Sequence, residues 1–183
     1  MTVIINLWAG PSCRKSTQAA KLFAEMKALE KERNFTVEIV TEFAKELAWM
    51  KVPITEKMQN YIFFEQLKRE MILVNAVDFI ITDSPTGIGS FYAKHYNQNY
   101  LSILKWEQHK RNENYCLDFW CPRLTPYNPN GRNETEEQAL LVDQSMKTFV
   151  SDNFRINEEL KTKEYHLEIL DYLQIWDFIR KAK

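Results

Sequence analysis

The sequence predicts an α/β fold built on a five-stranded parallel sheet with helices on both faces. Short runs of apolar and β-branched residues alternate along the chain with longer segments whose apolar residues recur at helical spacing. The run Val3–Trp8 is nearly all apolar, which is typical of a strand buried on both faces. Since ligands gather at the carboxyl ends of the strands in such sheets, we expect the functional residues directly after predicted strands.

The order of elements follows from these two patterns. The predicted strands are apolar or β-branched and lie at residues 3–8, 36–41, 78–82, 115–120 and 166–170. The predicted helices carry an apolar stripe and lie at residues 15–32, 42–51, 55–74, 85–96, 101–111, 135–150 and 176–181. Prolines and a glycine make 122–132 a loop, and Thr135 with Gln138 forms a capping box at the start of the helix that follows.

Length and composition indicate one globular domain covering residues 1–183. Of the 183 residues 45% are hydrophobic, which is enough for a core, and the net charge of −1 gives no overall attraction to nucleic acid. The three cysteines Cys13, Cys116 and Cys121 have the spacing of neither a disulfide framework nor a zinc site. Neither a signal peptide nor a membrane-spanning run is evident, so we expect a cytoplasmic protein that does not bind a membrane.

A phosphate-binding loop is predicted directly after the first strand. The stretch AGPSCRKST has the length of the G-x-x-x-x-G-K-S/T motif, with Ala9 and Arg14 in place of its two glycines. Such a loop points backbone N–H groups at phosphates from the start of a helix, while Lys15 adds charge and Ser16 offers a hydroxyl to Mg²⁺. The alternative is an ordinary turn from a strand to a helix. The residues predicted to bind nucleotide are Ala9, Gly10, Pro11, Ser12, Cys13, Arg14, Lys15, Ser16 and Thr17.

Two acidic residues follow predicted strands at the same edge of the sheet. Glu42 comes after the second strand and Asp83 after the third. An acid placed there can hold Mg²⁺ or accept the proton of an attacking hydroxyl. Each residue also has a structural alternative: Asp83 as the N-cap of the next helix, and Glu42 as a first-turn acid that favours the helix dipole.

Five segments in order resemble one kinase family. They are AGPSCRKST, IVTEFAKELAW, IFFEQLKRE, FIITDSPTG and YNPNGRNETEEQA. The chain is similar from about residue 2 to 170 to the nicotinamide-riboside-kinase-like P-loop kinases, the NadR-type group of AAA ATPase domains, many of whose small members come from bacteriophages. The resemblance implies a three-layer P-loop kinase fold that uses ATP and Mg²⁺.

The resemblance also implies roles for single residues. Lys15 would clamp the phosphates, Ser16 and Asp83 would hold Mg²⁺, and Glu42 or Asp83 would contact or deprotonate the acceptor hydroxyl. A lid at about 122–135 would bring Arg123 and Arg132 to the transferred phosphoryl group; the alternative is a surface loop with solvated arginines. The sequence departs from the family at Ala9, Arg14 and Lys45, where glycine, glycine and often arginine are found.

The predicted long helix offers candidates for a substrate wall. Phe63, Phe64, Gln66 and Arg69 lie close together on it, and an aromatic ring and an amide can stack on and hydrogen-bond a base. A row of phenylalanines at this spacing is, however, also typical of a core.

Three functions remain open from the sequence. The first is an ATP-dependent kinase that phosphorylates a small nucleoside, nucleotide or nicotinamide-riboside-like acceptor. The second is a kinase acting on a nucleic-acid hydroxyl, for which no basic groove is evident. The third is a non-catalytic nucleotide-binding protein, which the altered loop glycines favour. Nothing in the sequence indicates an oligomeric state.

Overall fold

The predicted α/β class is confirmed. The computed structural model describes residues 1–96, 98–124, 126–127 and 135–181, with side chains described up to 174. The strands, in chain order, are β1 Val3–Trp8, β2 Val37–Val40, β3 Phe79–Thr82, β4 Tyr115–Trp120 and β5 Glu158–Glu159. The α-helices of this described part are α1 Lys15–Arg33, α2 Phe43–Trp49, α3 Gln59–Met71, α4 Gly87–His95, α5 Leu101–Glu113, α6 Glu136–Asn153 and α7 Tyr165–Lys181.

All five strands pair in parallel, in the order β2-β3-β1-β4-β5, so β1 lies in the middle of the sheet. Its alternate side chains enter two different cores because successive residues of a strand point to opposite faces. Val3, Ile5 and Leu7 pack in a cluster with residues of α1 and α7, while Trp8 packs with residues of α4, α5 and α6 on the other face. The result is the three-layer arrangement that the sequence predicts.

The fifth strand was predicted in the wrong place. Residues 166–170 form the first turns of α7, and the edge strand is instead the short segment Glu158–Glu159, which pairs with Phe119 and Trp120 of β4. A run of five residues does not separate a period of 2 from one of 3.6, and Tyr165, Ile169 and Leu173 in fact form a helical stripe on the core. Glu158–Glu159 has no apolar signal from which a strand could be predicted.

Two predicted helices begin later than expected. The segment predicted at 55–74 opens with a 3₁₀ turn at Glu56–Met58, and α3 starts at Gln59. The helix predicted from 85 starts at Gly87, where an added Cβ would lie 2.6 Å from Cη2 of Trp8, so the absence of a side chain allows α4 to approach the sheet. The predicted capping box at Thr135 and Gln138 is confirmed.

A buried charged cluster fixes the turn between β3 and α4. Nζ of Lys110 on α5 lies 2.6 Å from Oε2 of Glu70 on α3 and 3.0 Å from Oε2 of Glu107. The hydroxyl group of Thr86, in the turn, donates a hydrogen bond to Glu107 and accepts one from Lys110. All four residues are buried, so the cluster locks the turn to two helices.

A second group of polar contacts joins this cluster to the central strands. Arg111 binds both carboxylate oxygens of Asp118 on β4, at 2.6 and 2.9 Å, and donates from Nε to Glu107. Asp118 also accepts hydrogen bonds from Nε1 of Trp8 and Nδ2 of Asn6 on β1.

Within the described part of the chain, no helix has the length and apolar character needed to cross a bilayer.

We expect Lys110→Met to destabilise the fold by about 3–5 kcal/mol, because it leaves two buried carboxylates without their shared cation. Urea unfolding followed by circular dichroism measures the change. Lys105→Met on the same helix is the matched control, since Lys105 is exposed and its loss should cost less than about 0.5 kcal/mol. Equal stability of the two variants would show that the cluster does not hold the turn.

Candidate active site

The predicted loop and both predicted acids line one cavity. The cavity has a volume of about 790 Å³, and its wall includes the loop residues 9–17 together with Glu42 and Asp83. Strand register explains why they meet: Thr82 pairs with Asn6 of β1 and with Val40 of β2, so the three strands end side by side. The site therefore lies at the carboxyl edge of the sheet, as the sequence predicts.

Two residues of the loop other than glycine adopt a backbone conformation that glycine favours. Ser12 and Arg14 have φ values of 65° and 60°, in the left-handed region that glycine adopts freely. For other L-residues this region costs about 1–2 kcal/mol per residue. Ala9 is not among the residues with positive φ, so the substitution at that position carries no such cost.

The start of α1 offers positive charge to an anion. Nζ of Lys15 lies over the beginning of the loop, where it donates hydrogen bonds to the carbonyls of Ala9 at 2.8 Å and Gly10 at 2.9 Å. Arg14 occupies the N-cap position, gives the helix no side-chain cap and is exposed. The first N–H groups of α1 thus lack a side-chain cap from that position, and the helix dipole adds to their attraction for a phosphate.

Cys13 in the loop is a buried thiol. Burial raises the pKa of Cys13 to about 11, with opposing contributions from Lys15, which lowers it, and Asp143, which raises it. The raised pKa favours the protonated thiol, which is a much weaker nucleophile than the thiolate.

Asp83 has the properties of a metal-binding carboxylate. It is 3% exposed, and its Oδ1 has no hydrogen-bond partner among the described residues. A buried carboxylate oxygen without a partner is unfavourable, and a cation would satisfy it. Helix α4 has Thr86 at its N-cap position, so the alternative role of Asp83 as the cap is wrong.

The donor set fits Mg²⁺ held partly by a nucleotide. The hydroxyl-bearing residue Ser16 lines the same cavity as Asp83. Among the described residues, no three His, Cys, Asp or Glu side chains gather into a group that would hold a metal by itself. Mg²⁺ in kinase sites commonly takes one or two protein ligands and completes its shell with phosphate oxygens and water, which suits Ser16 and Asp83.

Gln66 of α3 fixes the backbone around Glu42. Its Oε1 accepts a hydrogen bond from the N–H of Phe43 at 2.9 Å, and its Nε2 donates to the carbonyl of Thr41 at 3.4 Å. These two groups flank Glu42, which is the N-cap residue of α2 and gives no side-chain cap itself. Gln66 thus caps α2 from another helix and orients the acid at its start.

Of the four residues predicted for a substrate wall, two line the cavity. Phe63 and Gln66 line the cavity, with Phe63 1% exposed. Phe64 is instead 53% exposed, and Arg69 binds both carboxylate oxygens of Glu46 at 2.7 Å. The amide of Gln66 is engaged by backbone groups, and its local role was not evident from the sequence.

Arg123 contacts the loop rather than the cavity wall. Its Nη2 donates to the carbonyl of Pro11 at 2.6 Å, and its Nε donates to Oδ2 of Asp143 on α6 at 2.9 Å. Arg132 lies outside the described residues, as does most of the predicted lid at 122–135. Sequence reasoning missed Asp143, because an acid within an amphipathic helix carries no signal of what it contacts.

Comparison with solved structures shows a P-loop kinase fold. The structure of a NadR protein in complex with NR matches with a TM-score of 0.64 and 15% identity, covering 91% of this chain and 49% of that one. This chain therefore spans about half the length of that NadR protein. A deoxyadenosine kinase from M. mycoides with bound dATP matches with a TM-score of 0.54 and 14% identity, covering 93% and 98%. No family model and no curated protein matches the sequence.

We expect Gln66→Leu to lower the free energy of unfolding by about 1–3 kcal/mol, since it leaves the buried N–H of Phe43 without an acceptor. Chemical denaturation measures the loss, and hydrogen exchange should be faster at the Phe43 amide in particular. Gln108→Leu, at an exposed position of α5, is the control. Unchanged exchange at Phe43 would contradict the capping role.

Proposed function

We propose that the protein is an ATP-dependent phosphotransferase that phosphorylates a hydroxyl of a small nucleoside-like acceptor. The observation that carries the proposal is the meeting of a phosphate-binding loop and two strand-end acids in one cavity of about 790 Å³. A loop alone would support nucleotide binding only. The acids opposite it supply what transfer to a hydroxyl requires, namely a metal ligand and a proton acceptor.

The loop would bind the triphosphate. The first amides of α1 and the Lys15 ammonium would hold the β- and γ-phosphates, and Lys15 would exchange its bonds to the Ala9 and Gly10 carbonyls for bonds to phosphate oxygens. Ser16 and Asp83 would hold Mg²⁺, which when bound neutralises charge on the phosphates. Catalysis of this kind rests on positioning and charge rather than on covalent chemistry by the protein.

Glu42 is the better candidate for the base, and Asp83 for the metal. Asp83 is buried, and one of its carboxylate oxygens has no partner among the described residues, which suits a cation. Glu42 is only partly buried, at the N-terminus of α2. In this assignment Glu42 accepts the proton of the acceptor hydroxyl as that oxygen attacks the γ-phosphorus of ATP, and the bond from the γ-phosphorus to the β,γ-bridging oxygen breaks to release ADP. Arg123 adds positive charge beside the loop, and a role of Arg132 at the phosphoryl group stays a prediction from the family resemblance.

The charges of the cavity favour an acceptor without a phosphate group over a nucleotide. Among the described residues that line it, the Lys and Arg side chains are Arg14 and Lys15 in the loop and the exposed Lys45. Apart from Arg14, no arginine is among these described lining residues. Arginine is the usual partner for a phosphate group, such as the one that a nucleotide acceptor would carry. One structural neighbour is a deoxyadenosine kinase and the other is a NadR protein in complex with NR, which supports a nucleoside-like acceptor.

A second function, nucleotide binding without catalysis, is favoured by one observation. Arg14 stands where the motif has glycine, and it holds a left-handed backbone that glycine would adopt without strain. A protein that only senses or sequesters a nucleotide would tolerate it. The retained Lys15, Ser16 and Asp83 favour the kinase.

We expect γ-labelled ATP with Mg²⁺ to transfer label to one member of a panel of acceptors. The panel contains nicotinamide riboside, the common nucleosides, their monophosphates and a DNA oligonucleotide. Glu42→Gln should lower the rate by about 10²–10⁴-fold, the usual contribution of a general base. Asp83→Asn should also lower it and should raise the Mg²⁺ concentration needed for half-maximal rate.

Asp152→Asn is the control, because Asp152 is an exposed acid on α6 away from the cavity wall. Labelled monophosphate or oligonucleotide in place of a labelled nucleoside would move the acceptor to another class. Mg-ATP binding without transfer to any member of the panel would favour the non-catalytic function.

A further inference from the structure

A loop with two left-handed non-glycine residues needs an external constraint. Left alone, Ser12 and Arg14 would favour right-handed or extended backbone, and the phosphate cradle would open. Strained backbone persists where the surrounding structure over-determines it. The question is therefore which contacts hold residues 10–14 in place.

Asp143 of α6 lies directly against the loop. A Cβ added at Gly10 would collide with its carboxylate and would lie 3.1 Å from its Cγ, so backbone and carboxylate are in close contact there. Both carboxylate oxygens of Asp143 also lie within hydrogen-bonding reach of the Cys13 Sγ, at 3.7 and 3.8 Å. Cys13 is the residue between Ser12 and Arg14, so Asp143 touches the loop on both sides of Ser12.

Arg123, three residues after β4, joins the loop to Asp143. Its Nη2 reaches the carbonyl of Pro11 at 2.6 Å and Oδ2 of Asp143 at 2.8 Å, while its Nε donates to the same oxygen. The side chains of Arg123 and Asp143 are only 10% and 16% exposed, so solvent screens this ion pair weakly. One guanidinium thus bridges the loop backbone and α6.

We infer that Asp143 and Arg123 form a clamp that holds the glycine-poor loop in its phosphate-binding shape. In this Asp143–Arg123 clamp, both are positioning residues: they act on nucleotide through the backbone of residues 10–13. The inference rests on the proposed nucleotide site and adds to it a reason why this loop functions without the usual glycines. The pairing also cancels the negative charge that Asp143 would otherwise place beside a triphosphate.

The clamp makes a prediction that an ordinary buried ion pair does not make. If the clamp compensates for backbone strain, then relieving the strain should reduce the effect of removing the clamp. Glycine at position 14 relieves the strain because it adopts positive φ freely. Alanine removes the same arginine side chain but keeps the strain, so the pair of substitutions separates backbone conformation from charge.

The test places Arg14→Gly and Arg14→Ala in wild type and in Asp143→Asn, and measures all six proteins. Affinity for Mg-ATP is measured by calorimetry, and the midpoint of thermal unfolding by scanning calorimetry. We expect Asp143→Asn to weaken Mg-ATP binding by about tenfold or more and to lower the unfolding midpoint. The advantage of Arg14→Gly over Arg14→Ala in unfolding midpoint should differ between the Asp143→Asn and wild-type backgrounds. Its advantage in Mg-ATP affinity should be larger in Asp143→Asn, because in wild type the clamp already holds the loop.

Two results would overturn the clamp. One is an Asp143→Asn variant that binds and unfolds like wild type, and the other is an advantage of glycine over alanine at position 14 that is the same in both backgrounds. If Asp143→Asn does not fold, Arg123→Lys replaces it, since this change keeps the charge but loses the fork that joins Pro11 to Asp143. Unaltered Mg-ATP affinity and midpoint in Arg123→Lys would equally overturn the clamp. If wild type binds no Mg-ATP, the proposed function fails, while the clamp is still decided by whether the glycine-versus-alanine difference in unfolding midpoint changes between wild type and Asp143→Asn.

Discussion

The candidate site depends on the parallel pairing of β3 with both of its neighbours. Because β3 lies between β2 and β1, and Thr82 is level with both Val40 and Asn6, the chain leaves the three strands at one edge. The register of the strands therefore brings the loop, Glu42 and Asp83 to one cavity. A slip of one residue in β3 would turn its buried side chains to the opposite face and carry Asp83 out of the cavity.

On this frame, the turns that carry the acids are held by polar contacts from helices. Gln66 fixes the backbone on each side of Glu42, and the cluster of Lys110, Glu107 and Thr86 fixes the turn after Asp83. The loop after β1 is held in a comparable way from α6. In each case a helix beneath or beside the site supplies rigidity to a segment that bears function, which is how a fixed scaffold positions reactive groups on its connecting segments.

The sequence was sufficient for the elements that carry a strong local signal and insufficient for contacts between distant residues. The buried strands, the loop after β1 and the acids Glu42 and Asp83 were predicted because apolar runs and the residues after them are local patterns. The edge strand Glu158–Glu159 was missed because it is defined by pairing with β4 alone. Asp143 and Gln66 were not recognised for their roles, because each contacts residues more than 20 positions away in the chain.

The most direct test of the account is calorimetric titration of Mg-ATP into wild type and Lys15→Ala, with Lys31→Ala at an exposed position of α1 as the control. The account predicts that wild type and Lys31→Ala bind alike and that Lys15→Ala binds at least about tenfold more weakly, equal to roughly 1.4 kcal/mol. Absence of binding to wild type, or equal affinity of wild type and Lys15→Ala, would contradict the claim that this loop is a nucleotide site.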